Sequence, residues 1–306
     1  MGPANQVRVG RGLVSDREMA IELERPEVSG LGEVVEALRA WQVEGDPVQL
    51  HPGDLGWFWR WGDDVTAAAV RVWRRDGRIV AMGLQDESTV LRMAFAPSDR
   101  ADDELLQCVA DDLQAASHGV LPDGPVSVEL PPGAPFRVVL HGLGWVAGEA
   151  WTPLVRDLTG PVDVSGLRVE VITADRASVR TAVQRAAFDT STFTDERWQG
   201  MAAGPAYADA RCLVLSDERG EAVAAATVWS AGAGRPGLVE PLGVHRDHRG
   251  QGHGRSVTLA AAAVLRDLGA SSAQVITPSG NVAAVATYAS AGFDALPERL
   301  DLARPA

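Results

Sequence analysis

Residues 244–254 read VHRDHRGQGHG, and a segment with helical spacing of apolar residues follows them directly. A strand pattern precedes this turn, so the order is strand, Arg-x-x-Gly-x-Gly turn and helix. Glycines let backbone N–H groups crowd inward because no Cβ atom blocks them, and the positive end of the new helix adds to the same field. The stretch therefore predicts a cradle for an anion the size of a diphosphate.

Two other classes of phosphate-binding turn do not fit this stretch. A P-loop needs Lys after its last glycine, and the chain contains no Lys. A dinucleotide fingerprint needs a third glycine, but Gly250 and Gly252 lead to Arg255, and no acid ends the next strand, residues 273–277. An ordinary strand-to-helix turn without a ligand remains the alternative.

Three motifs follow one another in residues 167–306. They are Leu242-Gly243-Val244, Arg249-x-x-Gly252-x-Gly254 and Asn281-(x6)-Tyr288-(x3)-Gly292-Phe293. In this order and spacing they resemble the acetyl-CoA site of the GNAT acyltransferase superfamily. The resemblance implies a strand that splays from its neighbour, with pantetheine inserted into the gap.

The resemblance also implies a role for each matched residue. The backbone of Leu242, Gly243 and Val244 is expected to hold pantetheine and to polarise the acetyl carbonyl. The diphosphate is expected on the turn residues Arg249, Gly250, Gln251, Gly252, His253 and Gly254. Asn281 is expected to contact the cofactor arm. The chain departs from the family at Arg246, where Pro is frequent.

Acyl transfer from a thioester to an amine needs a neutral amine, a donor for the developing oxyanion and an acid for the leaving sulfur. We expect Tyr288 to protonate the departing thiolate, although a half-buried aromatic that fixes its helix to the sheet is the alternative. Glu240 is the candidate general base. It shares a face with Leu242 if Pro241 does not interrupt the alternation of the strand. A solvated, inert charge at the strand start is the alternative.

Two further groups of side chains are candidates for binding a ligand. Trp198, Tyr207 and Trp229 are candidates to line the acceptor site, with packing in the core as the alternative. His245, His248 and His253 fit a zinc site only in their spacing, because no Cys or carboxylate pattern completes the set. We therefore expect no metal.

The predicted elements of the second half read βααβββαβα with a last short strand near Leu300, which agrees with the GNAT layout. The same order recurs faintly in residues 1–158, ahead of a turn-rich linker at 159–166. There Asp103 stands in the place of Gly252, and Leu105 in the place of Gly254. Adjacent carboxylates would repel a diphosphate.

We therefore predict an α+β chain of two tandem GNAT-like domains, each a mixed, mostly antiparallel sheet flanked by helices. Residues 1–158 are a degenerate, non-catalytic GNAT-like domain, and residues 167–306 are the catalytic domain that binds acetyl-CoA. This layout resembles that of mycothiol synthase. An unrelated α/β domain in the first half is the alternative.

Composition bounds the partners. The net charge of −13 disfavours nucleic acid and anionic membranes. The chain has no run of about 18 apolar residues and no signal-like start, so we expect a soluble, cytoplasmic protein that does not bind membranes and is monomeric or homodimeric. The many Arg, Ala and Gly residues and the missing Lys suggest a bacterial source with a high-GC genome.

The expected function is that of an acetyl-CoA-dependent N-acetyltransferase that acts on a primary amine of a small molecule by direct transfer. Acetyl-CoA is then a cosubstrate, and the amine acceptor is the partner. A non-catalytic acyl-CoA-binding sensor or partner-binding protein remains the alternative. A metal-dependent enzyme is a third possibility.

Overall fold

The computed structural model describes residues 20–164, 166 and 168–305. Within them, the first half of the chain contributes β1 (Ile21–Glu24), β2 (Val70–Arg75), β3 (Arg78–Glu87), β4 (Val90–Phe95), β5 (Val126–Glu129) and β6 (Val146–Asp157). The second half contributes β7 (Arg168–Val171), β8 (Ala210–Ser216), β9 (Ala222–Trp229), β10 (Gly237–Val244), β11 (Ser272–Pro278), β12 (Asp294–Ala295) and β13 (Arg299–Arg304).

The helices pack on this sheet. Those of the first half are α1 (Leu31–Trp41), α2 (Pro52–Phe58), α3 (Asp63–Ala69), α4 (Asp103–Gln114) and α5 (Pro135–Gly142). Those of the second half are α6 (Ala177–Ala187), α7 (Asp195–Ala203), α8 (His253–Asp267) and α9 (Val282–Ser290). No helix among the described residues is both long and apolar enough to span a membrane.

One sheet runs through both halves, in the order β1-β2-β3-β4-β5-β13-β6-β11-β10-β9-β8-β7, with β12 also paired to β6. Most neighbours are antiparallel. The parallel pairs are β4 with β5 and β10 with β11, one in each half. The predicted fold class, two tandem GNAT-like units with mixed, mostly antiparallel sheets, is confirmed.

The two halves exchange strands where they meet. β6 comes from the first half but pairs with β11 over seven residues, from Ser272 opposite Asp157 to Pro278 opposite Trp151. The C-terminal β13 pairs in turn with β5 of the first half. Each half therefore completes the sheet of the other, across the boundary drawn at residues 159–166.

A shared core joins the halves on one face of the sheet. The buried cluster contains Leu31 and Leu55 of the first half together with Trp198 and Trp229 of the second. Helix α2 lies so close to Trp229 that a Cβ atom added to Gly56 would lie 2.4 Å from the Trp229 ring. His51, which caps α2, places its Nε2 3.1 Å from the carbonyl oxygen of Pro236.

Candidate active site

The site begins where two parallel strands separate. β10 and β11 pair only at Gly237 with Ala273 and at Leu238 with Gln274. Beyond these residues β10 stays paired with β9 as far as Val244. The edge of β10 that faces β11 is therefore left open, and a wedge forms between the strands, as the family resemblance implies.

The turn after β10 bends because of its glycines. Gly250 and Gly252 have φ values of 75° and 84°, in the left-handed region that favours glycine. Gly252 is the residue before α8, so the first free N–H groups of the helix point out of the turn. Because Gly254 has no Cβ atom, α8 can approach α9 closely; a Cβ atom there would lie 2.9 Å from Thr287 Cγ2. Turn and helix end form an anion cradle.

A cavity of about 630 Å³ joins the wedge to the cradle, and we call it the wedge cavity. Its walls contain most of the predicted cofactor residues: Leu242, Gly243, Val244, Arg249, Gly250, Gly252, His253, Gly254 and Asn281. Gln251 does not line it and lies instead in a neighbouring surface depression with Asp217. Sequence reasoning missed Phe188, Arg255 and Thr287, which also line the wedge cavity.

Arg249 and Gly243 fix helix α6 against the wedge. The Arg249 guanidinium donates to the Ala187 carbonyl at 2.7 Å. A Cβ atom on Gly243 would lie 2.6 Å from the Ala187 Cβ and 2.7 Å from the Phe188 ring. The end of α6 therefore lies directly over β10, and Phe188 becomes part of the cavity wall.

Helix α9 brings Asn281 and Tyr288 to the same cavity. The Asn281 side chain accepts the N–H of Ala284 and caps the helix. Tyr288 is 7% exposed. Burial, and then the charge of Glu240, raise the pKa of Tyr288 above its usual value, so the phenol stays protonated.

A second cavity of about 320 Å³ adjoins the first, and we call it the acid cavity. The two cavities share Phe188, Leu242, Asn281, Ala284 and Tyr288. The first half of the chain supplies Asp86, Arg92, Glu129 and Trp151 to the acid cavity, whereas the second supplies Glu240 and Arg299 among others. Tyr288 therefore stands at a junction that both halves build.

Glu240 reaches the acid cavity by a different route from the predicted one. The pairing of β10 with β9 shifts register between Val239 and Leu242, so simple alternation across Pro241 does not hold. Both Glu240 and Leu242 nevertheless line the acid cavity. Burial, and then the charge of Asp54, raise the pKa of Glu240 well above its usual value.

The three aromatic residues considered for the acceptor site lie in the core. Trp198 and Tyr207 are packed edge to face with ring centroids 5.9 Å apart, and Tyr207 and Trp229 at 6.1 Å. They are not among the residues that line the wedge cavity or the acid cavity. Trp229 still touches the site indirectly, because its Nε1 donates to the Glu240 carbonyl at 2.6 Å.

The histidines of the turn are spread along it. The ring centroids of His245 and His248 are 5.2 Å apart, and those of His248 and His253 are 6.3 Å apart. His248 lies instead near Asp217 and Glu221, with one ligand atom from each within 4.8 Å of the others. Sequence reasoning missed this surface group. Exposed acidic groups of this kind are common without an ion, so we assign no metal role to it.

Comparisons with known proteins concern the family and the fold. Residues 178–293 match the acetyltransferase (GNAT) family model. No curated protein matches the chain. Solved structures match over nearly its whole length, among them a GCN5-related N-acetyltransferase from Sphaerobacter thermophilus. That structure is 16% identical, covers 93% of this chain and 95% of its own, and has a TM-score of 0.56.

Two other solved structures match equally well. A tandem GNAT protein from the clavulanic acid biosynthesis pathway is 17% identical, with 93% of this chain and 98% of that chain covered and a TM-score of 0.57. A GNAT-family acetyltransferase from Colwellia psychrerythraea is 15% identical, with 92% and 98% covered and a TM-score of 0.56. These likenesses show the fold, and the family match supports acyl transfer as the general activity. The predicted resemblance to the GNAT superfamily is confirmed, and the family match lies in the second half of the chain, over residues 178–293.

Proposed function

We propose that the protein is an acetyl-CoA-dependent N-acetyltransferase that acts on a primary amine of a small molecule by direct transfer. The junction of the two cavities carries this proposal. Tyr288 lines both the wedge cavity and the acid cavity, and Glu240 lies in the second. A buried acid therefore stands between a cradle for the cofactor and a carboxylate-lined space for an amine.

The wedge cavity fits coenzyme A. Its glycine turn presents backbone N–H groups to the diphosphate, and the open edge of β10 offers backbone groups to the pantetheine amides. Gly250 and Gly252 would hold the diphosphate, and Leu242 to Val244 the pantetheine arm. When bound, acetyl-CoA supplies the acyl group as a thioester.

The residues of the chain move the protons. A bond forms between the amine nitrogen and the acyl carbon, the carbon–sulfur bond breaks, and backbone N–H groups of β10 donate to the acyl oxygen. Glu240 accepts the proton lost by the nitrogen, and Tyr288 gives its proton to the sulfur. Return of a proton from Glu240 to Tyr288 through solvent restores the site.

We further propose that only residues 167–306 carry out catalysis and that residues 1–158 do not bind acetyl-CoA. In the first half, the Asp102 carboxylate caps α4 by accepting the Leu105 N–H at 2.9 Å. The same carboxylate pairs with Arg75 Nη1 at 2.6 Å. The Arg75 hydrogen bond, with the Leu105 N–H, lowers the pKa of Asp102 to about 2. An internal anion thus occupies the position that the cofactor diphosphate would take.

A test of the function is thiol release from acetyl-CoA across a panel of small amines. Replacing Tyr288 by Phe should lower kcat roughly 100- to 10,000-fold and leave the Kd for acetyl-CoA within about twofold, because only the proton donor is lost. The chain's other tyrosine offers the control, since Tyr207→Phe should leave kcat unchanged. Tight binding without turnover of any amine, with no effect of Tyr288→Phe, would instead favour a non-catalytic acyl-CoA sensor.

A further inference from the structure

The acid cavity carries more negative than positive charge. Three carboxylates and two guanidinium groups line it, those of Asp86, Glu129, Glu240, Arg92 and Arg299. A further carboxylate, that of Asp54, lies behind Arg92 with its Oδ1 2.8 Å from Nη2. The cluster therefore has an excess of acidic groups, and most of them come from the first half of the chain.

Two of these carboxylates take up most of the positive charge. Glu129 accepts from Arg299 Nη2 at 2.6 Å and from Arg92 Nε at 3.1 Å. Asp54 is paired with the Nη2 of Arg92, as described above. Both guanidinium groups are thus held by carboxylates that are almost fully buried, and the buried Arg299 Nε has no hydrogen-bond partner among the described residues.

The other two carboxylates are paired only loosely with Arg92, and Glu240 also shares a side-chain hydrogen bond with Asp54. Asp86 and Glu240 are each 30% exposed, and they approach Arg92 Nη1 at 3.6 Å and 3.8 Å, beyond hydrogen-bond distance. Since both approach the same nitrogen atom, the two carboxylates lie close together. Burial raises the pKa of Asp86, and the charge of Arg60 lowers it from longer range, but Arg60 Nη1 donates its hydrogen bond to the Trp57 carbonyl at 2.7 Å.

We propose that Asp86 binds a second cationic group of the acceptor, so that the preferred acceptors are small diamines, or amines that carry a guanidinium, rather than monoamines. This inference rests on the proposed acetyl transfer, because it assigns the second charge of the same acceptor. Glu240 faces the amine that reacts and loses its charge. Asp86 faces the group that keeps its charge throughout.

The energetics favour a dication because of what a monoamine leaves behind. A bound monoamine displaces water from the acid cavity and leaves Asp86 with only its long ion pair to Arg92, and a partly buried charge that is weakly paired is costly. A second ammonium group removes this cost and forms a charge-assisted hydrogen bond. Two ammonium groups joined by a short methylene chain can face Asp86 and Glu240 together.

The test compares cadaverine with pentylamine, which have the same carbon chain but differ in the second ammonium group. In the wild type, kcat/KM should be about 10- to 100-fold higher for cadaverine, in line with a hydrogen bond between charged groups. Asp86→Asn should raise the KM for cadaverine, leave kcat nearly unchanged and bring the two amines within about twofold. Glu87→Gln, at the exposed end of the same strand, removes one charge outside the cavity and should preserve the preference.

Binding of cadaverine and pentylamine to the wild-type and Asp86→Asn proteins, measured by calorimetry with CoA present, separates the two proposals. Turnover of both amines with equal efficiency, unaffected by Asp86→Asn, would overturn the role of Asp86 and leave the acetyltransferase proposal intact. Asp86-dependent binding of cadaverine without any turnover would support the dication site and refute acetyl transfer. If Asp86→Asn does not fold, Asp86→Glu keeps the charge and should retain the preference for cadaverine.

Discussion

The anion cradle can be tested by placing a carboxylate in it, as the first half of the chain does with Asp102. Gly252 is the corresponding residue before α8, and a Cβ atom there would have no described atom within 4 Å. Its φ of 84° lies in the left-handed region, which Asp and Asn tolerate better than other residues. Gly252→Asp and Gly252→Asn therefore impose similar bulk and backbone cost, and they differ in charge.

The charge difference sets the expected effect. A carboxylate about 6 Å from one phosphate charge repels it by about 0.7 kcal/mol at the dielectric constant of water and by about 2.8 kcal/mol at an effective value near 20. Gly252→Asp should therefore bind acetyl-CoA about 3- to 100-fold more weakly than Gly252→Asn. Added salt should shrink the difference, because the cradle is open to solvent.

Isothermal titration calorimetry with acetyl-CoA at low and high salt measures this difference, and thermal unfolding shows whether the two variants fold equally well. Equal dissociation constants for Gly252→Asp and Gly252→Asn at low salt would show that no phosphate lies near the start of α8. That result would refute the assignment of the turn, whatever the absolute affinity of either variant.

Two other predictions concern the base and the junction of the halves. The wild-type kcat/KM should rise with pH as Glu240 ionises at its raised pKa, because only the carboxylate accepts a proton. Glu240→Gln should remove this rise from the pH profile. An unchanged profile would exclude Glu240 as the base. Gly56→Ala should lower the free energy of unfolding in urea by about 1–3 kcal/mol, because its Cβ atom would meet the Trp229 ring at 2.4 Å. Gly32→Ala is the control, because Gly32 lies in α1 with open space around it, and it should stabilise the protein by about 0.5–1 kcal/mol. Equal effects of both substitutions would show that α2 does not pack tightly on Trp229.

Most residues that line the wedge cavity could be predicted from the sequence because their arrangement is local. The turn at residues 244–254 sets the cradle with consecutive residues, and the spacing of Asn281 and Tyr288 follows from the geometry of one helix. Each of these features depends on a single strand-turn-helix unit. Side chains that act through such a unit are brought together by short-range geometry alone.

The acceptor side could not be predicted, because it depends on packing between distant segments. Asp86 and Arg92 carry no motif, and they meet Glu240 only because β3 and β4 of the first half approach β10 of the second. Trp198 and Trp229 were candidates for the acceptor site because they are aromatic, but helix α2 covers Trp229 and closes the core over it. Non-local contacts decided both outcomes.

Two smaller features of the structure also differ from the sequence prediction. The caps of α4 and α8 align Asp102, rather than Asp103, with Gly252, because the turn of the first half is one residue shorter. The long strand β6 was not predicted from the sequence, since Pro153 lies within it and proline is unusual inside a paired strand. Its partners β11 and β13 are more than a hundred residues away in the chain.

The strand exchange gives the first half a structural part in the site of the second half. β6 supplies the edge on which β11 is built, and β11 forms one side of the wedge. The same half places Asp86 and Glu129 in the acid cavity, beside the residue proposed as the base. Removal of the first half would therefore remove part of the sheet and much of the proposed acceptor site.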